Sequence, residues 1–382
     1  MDEFRAEYWE RRPLLVSRDR PARYDDLLSE REVEHLVCET GLRFPGFRLV
    51  KEGSKLDVGD YTVDLPWRPV PFAGTADVER VLAEFEAGAT IVLQGLHLNR
   101  AETAGFCRAL EGALGHPVQA NAYYTPRGSQ GLAVHHDTHD VFVLQIAGRK
   151  RWLVYEPVLE LPLKEQRYRA ELGAPGETVI DTVLGPGDAL YLPRGWLHEA
   201  RTSDVHSLHL TVGINVYTWV DAFQDALADV EDELAFRRSV DGEDPPPAEL
   251  LEALEKRLAP ADVARRKSAR LERRRRPVLD GQLTQLRALD GLTSSTLLER
   301  RPTALASVEQ DGDHVALAFH GKRLLLPSRL DEEAAFLSES DEPFTAADLP
   351  GMLDAEGRLV LVRRLVREGF LRITEPNERA GP

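Results

Sequence analysis

The sequence predicts a mainly β protein with three parts. An antiparallel barrel or jelly roll covers residues 1–218. A charged helical region follows at 219–276. A small mixed domain at 277–382 ends like a winged helix-turn-helix. Three observations carry this reading. The first region is built of short apolar runs punctuated by Gly and Pro. It holds nine of the eleven histidines. The later regions change to helical spacing and dense charge. No repeat of solenoid length is visible.

Along the first region, Ala89–Leu93 (ATIVL) lies between Gly88 and Gly95 and predicts a buried strand. Residues 99–114 predict a helix, with Phe106, Leu110 and Leu114 at helical spacing. Val141–Ile146 is apolar and β-branched, Gly148 interrupts it, and Trp152–Tyr155 resumes, which predicts a hairpin. Ala189–Leu192 and Leu208–Val216 predict further strands. In the middle region, Asp221–Ala259 is rich in acids, and Pro245-Pro246-Pro247 separates two amphipathic helices. Their residues Leu227, Leu234, Leu250, Leu251 and Leu254 need a partner surface, which a homodimer supplies. Arg265–Arg276 then holds eight Lys/Arg in twelve positions. It reads as a solvated face or linker, with RNA or an acidic partner as the functional alternative. In the last region, Phe344–Leu349 predicts a helix opening with Thr345 as its cap, Leu359–Val366 a second helix ended by Gly369, and Phe370–Ile373 a strand. Arg363, Arg364 and Arg367 read as solvated, with phosphate contact the alternative.

Composition narrows the function. With 64 Asp+Glu against 48 Lys+Arg the formal net charge is −16, which argues against a surface that grips nucleic acid throughout. Apolar residues make up 42%, enough for a sizeable core. Cys38 and Cys107 are the only cysteines, too few for a disulfide framework, so a reducing cytoplasm is expected. The opening MDEFRAEYWE does not read as a signal peptide. No apolar run reaches the roughly 18 residues of a membrane span.

The richest concentration of donor side chains is Val134-His135-His136-Asp137-Thr138-His139-Asp140. On a strand, residues i and i+2 share a face, so His135 and Asp137 can reach one ion. His198, after the Pro193–Gly195 turn in GPGDALYLPRGWLHEA, is the third candidate. Two imidazoles and one carboxylate leave half an octahedron open, as a non-haem Fe(II) oxygenase requires. Another metal, or structural histidines with no metal, are the alternatives. No HExxH or His-x-His-x-Asp-His pattern is present. His136 should face away from this site, and His139 should lie at its rim or end the strand.

A 2-oxo acid co-substrate needs a buried cation for its far carboxylate. Lys150 shares a face with Trp152 and Val154, whereas Arg149 and Arg151 point the other way. A buried lysine implies an anionic partner, and a hairpin-end lysine in water is the alternative. Asn121 and Tyr123 share a face on a further strand. Ser207, His209, Thr211, Gly213 and Asn215 alternate with Leu208, Leu210, Val212, Ile214 and Val216. That polar row lines either a ligand cavity or an outer surface.

These segments resemble the ribosomal oxygenases, JmjC-type members of the cupin superfamily. The carrying stretches are EYWERRPLLV at 7–16, NAYYTPRGSQGLAVHHDTHDVFVLQIAGRKRWLVY at 121–155, LGPGDALYLPRGWLHEA at 184–200 and SLHLTVGINVYTWVD at 207–221. The resemblance implies a double-stranded β-helix (the cupin/JmjC jelly roll), a helical dimerisation region and a C-terminal winged helix. It implies Fe(II) at His135, Asp137 and His198, and 2-oxoglutarate at Lys150 with Asn121 and Tyr123 nearby. It also implies a ribosomal-protein substrate hydroxylated at the β-carbon of a histidine or arginine, the Asn-x-Tyr…Ser-Gln-Gly stretch being closer to the histidine-modifying members. The acidity of the chain suits a basic ribosomal protein. Alternatives are an oxygenase acting on a peptide natural product or small molecule, and a non-enzymatic metal-binding cupin that regulates through nucleic acid. A histone-type demethylase rests on fold analogy alone.

Overall fold

The computed structural model describes residues 1–240 and 247–374. The chain falls into two compact units, residues 1–110 with 118–216, and 111–117 with the chain from 217 onward.

The strands of the first unit, in chain order, are β1 (Leu14–Val16), β2 (Phe47–Lys51), β3 (Ser54–Lys55), β4 (Thr62–Leu65), β5 (Phe72–Ala76), β6 (Thr90–Leu93), β7 (Val118–Thr125), β8 (Asp140–Gly148), β9 (Lys150–Tyr155), β10 (Thr178–Leu184), β11 (Ala189–Leu192), β12 (Leu197–Arg201) and β13 (Ser207–Ile214). Eight of them form one antiparallel sheet in the order β1-β11-β8-β13-β7-β6-β2-β3. A second sheet runs β10-β9-β12, and β4–β5 is a separate hairpin. Val141, Val143, Leu190 and Leu192 from the first sheet pack with Trp152, Val154 and Leu184 from the second. This mainly β, two-sheet architecture is the one expected from the short punctuated runs.

The expected strands and the helix are present as Thr90–Leu93, Ala101–Leu114, Ala189–Leu192 and Ser207–Ile214. The hairpin expected across Gly148 is not. β8 pairs with β11 and β13, whereas β9 pairs with β10 and β12. Gly148 instead passes the chain from one sheet to the other. Its φ is +63°, and a Cβ there would lie 1.9 Å from the carbonyl oxygen of His206. Arg149 N–H donates to that same carbonyl.

The second unit contains helices Trp219–Ala228, Ala248–Arg257 and Pro260–Arg274. Pro245 and Pro246, read as the break between the first two, lie outside the described residues; Pro247 is the N-cap of Ala248–Arg257. The basic run is largely paired within this unit. Arg265 meets Asp262 at 2.9 Å, Arg266 meets Asp229 at 2.5 Å, Arg270 meets Asp221 at 2.8 Å and Arg275 meets Glu111 at 2.6 Å. Further on, strands Leu297–Arg300, Phe344–Thr345 and Leu371–Ile373 form one small sheet, and Ala306–Asp311, His314–Phe319 and Lys322–Pro327 a meander. Helices Asp331–Glu339 and Ala355–Arg367 join them around Leu298, Leu317, Phe319, Leu365 and Phe370. The helix expected at 344–349 is a two-residue strand followed by one 3-10 turn, Ala346–Asp348. Thr345 still caps it, its N–H and hydroxyl both donating to Asp348. Arg363 donates to the Leu292 carbonyl and Arg364 pairs with Glu368. No helix among the described residues is long and apolar enough to cross a membrane.

Gly148→Ala is expected to lower the thermal midpoint by at least about 4 °C, because the positive φ and the His206 carbonyl both exclude a side chain. Calorimetry of the wild type and the variant measures it, and an unchanged midpoint would contradict the sheet-crossing role.

Candidate metal centre

His135 and Asp137 are not on a regular strand. His135 makes an isolated antiparallel bridge to His198 at the start of β12. His135 N–H donates to the His198 carbonyl at 3.1 Å, and His198 N–H donates back at 2.8 Å. Such a doubly hydrogen-bonded pair places two side chains on one side of the ladder. Gly195 N–H donates to the Asp137 carbonyl at 3.1 Å, which ties in the third residue. Gly195 has φ +93°, and a Cβ would sit 2.4 Å from the Leu159 carbonyl oxygen, so the turn requires glycine.

The outcome is a convergent set. One donor atom from each of His135, Asp137 and His198 lies within 4.8 Å of the others, and the His198 Nε2–Asp137 Oδ2 separation is 3.8 Å. Each imidazole is oriented through its other nitrogen. His135 Nδ1 bonds the Ala133 carbonyl at 2.8 Å, and His198 Nδ1 bonds the Trp196 carbonyl at 3.0 Å. With Nδ1 donating, Nε2 keeps the lone pair that a metal needs. Burial works to raise the Asp137 carboxyl pKa, but His139, His135, His198 and His136 around it hold it below its usual value. Burial, with the nearby His135, pushes His198 down to about 4, so it is neutral and available as a ligand. The donor types and their spacing fit a divalent metal of the iron group.

The triad opens onto a cavity of about 550 Å³ counting its mouth, lined also by Val92, Tyr123, Val143, Trp152, His209 and Thr211. Lys150 also lines it and is 4% exposed. Its Nζ donates to Thr125 Oγ1 at 2.9 Å, and the Thr90 hydroxyl meets Thr125 at 3.1 Å. No carboxylate pairs with Lys150 among the described residues, and burial alone pushes its pKa from 10.5 down to about 7. A buried cation with only a hydroxyl for company fits an anionic ligand. Arg149 and Arg151 are exposed, and Arg151 pairs with Asp181 at 2.5 Å.

Tyr123 lines the cavity, and its phenol pKa is raised chiefly by burial, with Arg48 hydrogen-bonded to it. Asn121 lies outside the lining residues, its side-chain oxygen accepting from Gly95 N–H at 2.9 Å. His136 faces away, buried, with Nε2 3.0 Å from the Gln166 carbonyl. His139 packs against Gly213. The polar row of β13 is not a solvated face, since Ser207 and His209 are buried and Thr211 lines the cavity. Thr125 and Arg48 were not singled out from the sequence. Thr125 continues the Asn121–Tyr123 alternation by one more step along β7, a signal that was there to follow. Nothing in the sequence pattern around Arg48 marks it.

The JmjC domain family matches residues 97–222. Among curated proteins, Ribosomal oxygenase 1 of Rattus norvegicus is 33% identical over 259 residues, which is 63% of this chain and 40% of that protein. A protein of Drosophila persimilis named bifunctional lysine-specific demethylase and histidyl-hydroxylase NO66 is 33% identical over 215 residues, 56% of this chain and 30% of its own length. The chain thus spans less than half the length of these relatives. Among solved structures, the Escherichia coli ribosomal oxygenase YcfD in complex with cobalt and 2-oxoglutarate superposes with a TM-score of 0.56 over 98% of both chains at 19% identity. The resemblance to ribosomal oxygenases read from the motifs is therefore found again, and the JmjC match covers the stretch that carries the triad.

Lys150 gives metal-free, ligand-free protein a pH signature. Its pKa is about 7 folded against 10.5 unfolded, so between those values the unfolded chain binds more protons and stability rises with pH. The destabilisation is complete below pH 7 and gone above 10.5. Lys150→Met is expected to raise the thermal midpoint at pH 7, by an amount of order a few kcal/mol in stability, and to flatten the rise between pH 7 and 9. Melting curves of both proteins at the two pH values measure it.

Proposed function

We propose that this chain, whose residues 97–222 match the JmjC domain family, is an Fe(II)- and 2-oxoglutarate-dependent protein hydroxylase with a ribosomal protein as substrate. One observation carries the reading: a two-histidine, one-carboxylate donor set and a buried unpaired lysine share one cavity. His135, Asp137 and His198 would hold the iron, and Lys150, braced by Thr125, would take the far carboxylate of 2-oxoglutarate, with Tyr123 in the same cavity wall and Asn121 outside it. Iron and 2-oxoglutarate together supply the oxidation, in which O₂ converts 2-oxoglutarate to succinate and CO₂ and a substrate C–H to C–OH.

The chain's own residues position and shield. Backbone carbonyls at Ala133 and Trp196 keep the two imidazoles in the tautomer that presents Nε2. Lys150 orients a dicarboxylate by one end, so that its other end lies toward the triad. Val92, Val141, Val143 and Leu132 supply the apolar part of the lining. The substrate residue is a histidine or arginine attacked at its β-carbon, and histidine is the first to test, since one relative is named a histidyl-hydroxylase. A net charge of −16 suits a basic ribosomal protein.

The remaining parts extend the proposal. The helices at 219–276 form a homodimer interface. Trp219, Val220, Phe223 and Leu227 are exposed on helix Trp219–Ala228, and Leu234 and Leu251 are exposed nearby in sequence. Apolar side chains so placed suit a second copy of the chain. The segment 277–382 is read as a winged helix because helix Ala355–Arg367, the turn at Gly369 and strand Leu371–Ile373 follow in the order that fold uses.

With Fe(II), 2-oxoglutarate and histidine- or arginine-bearing ribosomal peptides, the wild type is expected to form succinate and add one oxygen to a peptide. His135→Ala and Asp137→Ala should each reduce turnover at least about 100-fold. Turnover retained in both variants would refute the ligand assignment, and loss of a methyl group from a methyl-lysine peptide would favour demethylation instead. Light scattering at micromolar concentration should give a dimer, and Phe223→Glu combined with Leu227→Glu a monomer. A monomeric wild type would remove the interface.

A further inference from the structure

Two polar side chains in the cavity are left without partners. Trp152 Nε1 and His209 Nδ1 are both buried and make no hydrogen bond. The residues are 5% and 3% exposed and both line the cavity. Buried polar atoms without partners are rare in native proteins, and each one calls for a specific explanation. Here two occur side by side, with ring centroids 5.5 Å apart and planes at 80°.

Their placement connects the two ends of the site. The Trp152 ring lies 6.0 Å from that of the metal-site residue His198. Trp152 stands two residues along β9 from Lys150, on the same buried face. His209 is close enough to Lys150 for the ammonium to add to the burial that keeps the imidazole neutral. Its ring is fixed in orientation, stacked on Tyr123 at 5.0 Å with an interplanar angle of 1°. The indole and the imidazole thus stand in the same cavity wall as the triad and Lys150.

We propose that Trp152 and His209 are co-substrate-binding residues, which donate Nε1–H and Nδ1–H to oxygen atoms of the 2-oxo dicarboxylate held between the triad and Lys150. This rests on the function proposed above and deepens it. The two nitrogens stay unpaired until the anion arrives, and its oxygens satisfy both. A neutral ligand of the same length lacks the charge that makes such bonds strong. The stacked Tyr123 ring serves as the backing that aims the imidazole.

The test is calorimetric binding of 2-oxoglutarate to Mn(II)-loaded protein without peptide, so that no turnover is involved. Trp152→Phe keeps an aromatic ring and removes the N–H together with the five-membered ring of the indole. His209→Leu removes the donor, and His209→Asn puts an amide N–H near the Nδ1 position. Trp152→Phe and His209→Leu should each weaken 2-oxoglutarate binding roughly tenfold or more, the range for a hydrogen bond to a charged group. His209→Asn should recover most of the loss. Metal content by elemental analysis should match the wild type in all three, which separates a binding role from a collapsed site. Wild-type affinity in both Trp152→Phe and His209→Leu would overturn this assignment while leaving the proposed function standing. A wild type that binds no 2-oxoglutarate would overturn both.

Discussion

The site depends on one backbone interaction, the pair of hydrogen bonds exchanged between His135 and His198. Two candidate metal ligands far apart in the chain become direct neighbours through main-chain atoms. Their separation and the side on which they stand are then set by ladder geometry and not by side-chain packing. The third ligand is held in the same way, by Gly195 N–H on the Asp137 carbonyl. Both imidazoles are turned by carbonyls two residues earlier, at Ala133 and Trp196. A donor set oriented by backbone atoms is preorganised, because none of these bonds needs to be remade when an ion enters.

The second constraint is the polarity of the cavity wall. Thr90, Lys150, Trp152, Glu199, His209 and Thr211 set polar groups among the apolar side chains Val50, Val92, Leu132, Val141 and Val143 of the cavity wall, and Thr125 bonds both Lys150 and Thr90. An apolar core at these positions would be more stable, since each unpaired buried group costs on the order of 1–3 kcal/mol. That cost makes sense where a ligand cancels it. The cavity borders the apolar cluster of Val154, Leu184 and Leu190, with which it shares Val141, Val143 and Trp152.

Period-two alternation made much of this legible before any coordinates. It set Lys150 apart from Arg149 and Arg151, and it marked the polar row of β13, because a strand's side chains have only two directions to take. It failed where the chain leaves regular geometry. Gly148 reads as a hairpin turn in one dimension, and only the closeness of the His206 carbonyl shows that it carries the chain between sheets. His135 and Asp137 were assigned to a strand, whereas they are held by a single bridge; the donor types pointed to the right residues for a partly wrong local reason. Arg48, hydrogen-bonded to Tyr123, is invisible in sequence because its partner lies two strands away in the sheet.

The basic run at 265–276 shows the limit of charge reading most clearly. Eight cations in twelve residues read as a solvated face or linker, with RNA or an acidic partner as the alternative. Asp229, Asp221 and Glu111, all distant in sequence, take up three of its arginines, and Arg266 and Arg275 are largely buried in doing so. A guanidinium already committed to a carboxylate contributes little to a long-range field, since the two charges cancel beyond roughly a Debye length of 8–10 Å. The net charge of −16 is therefore not locally reversed at these pairs. Under the proposed function, attraction of a basic protein substrate would come from the field of the whole chain, whereas the dicarboxylate would be selected by groups buried in the cavity. The two selections use different physics, so ionic strength acts on the first and leaves the second almost untouched.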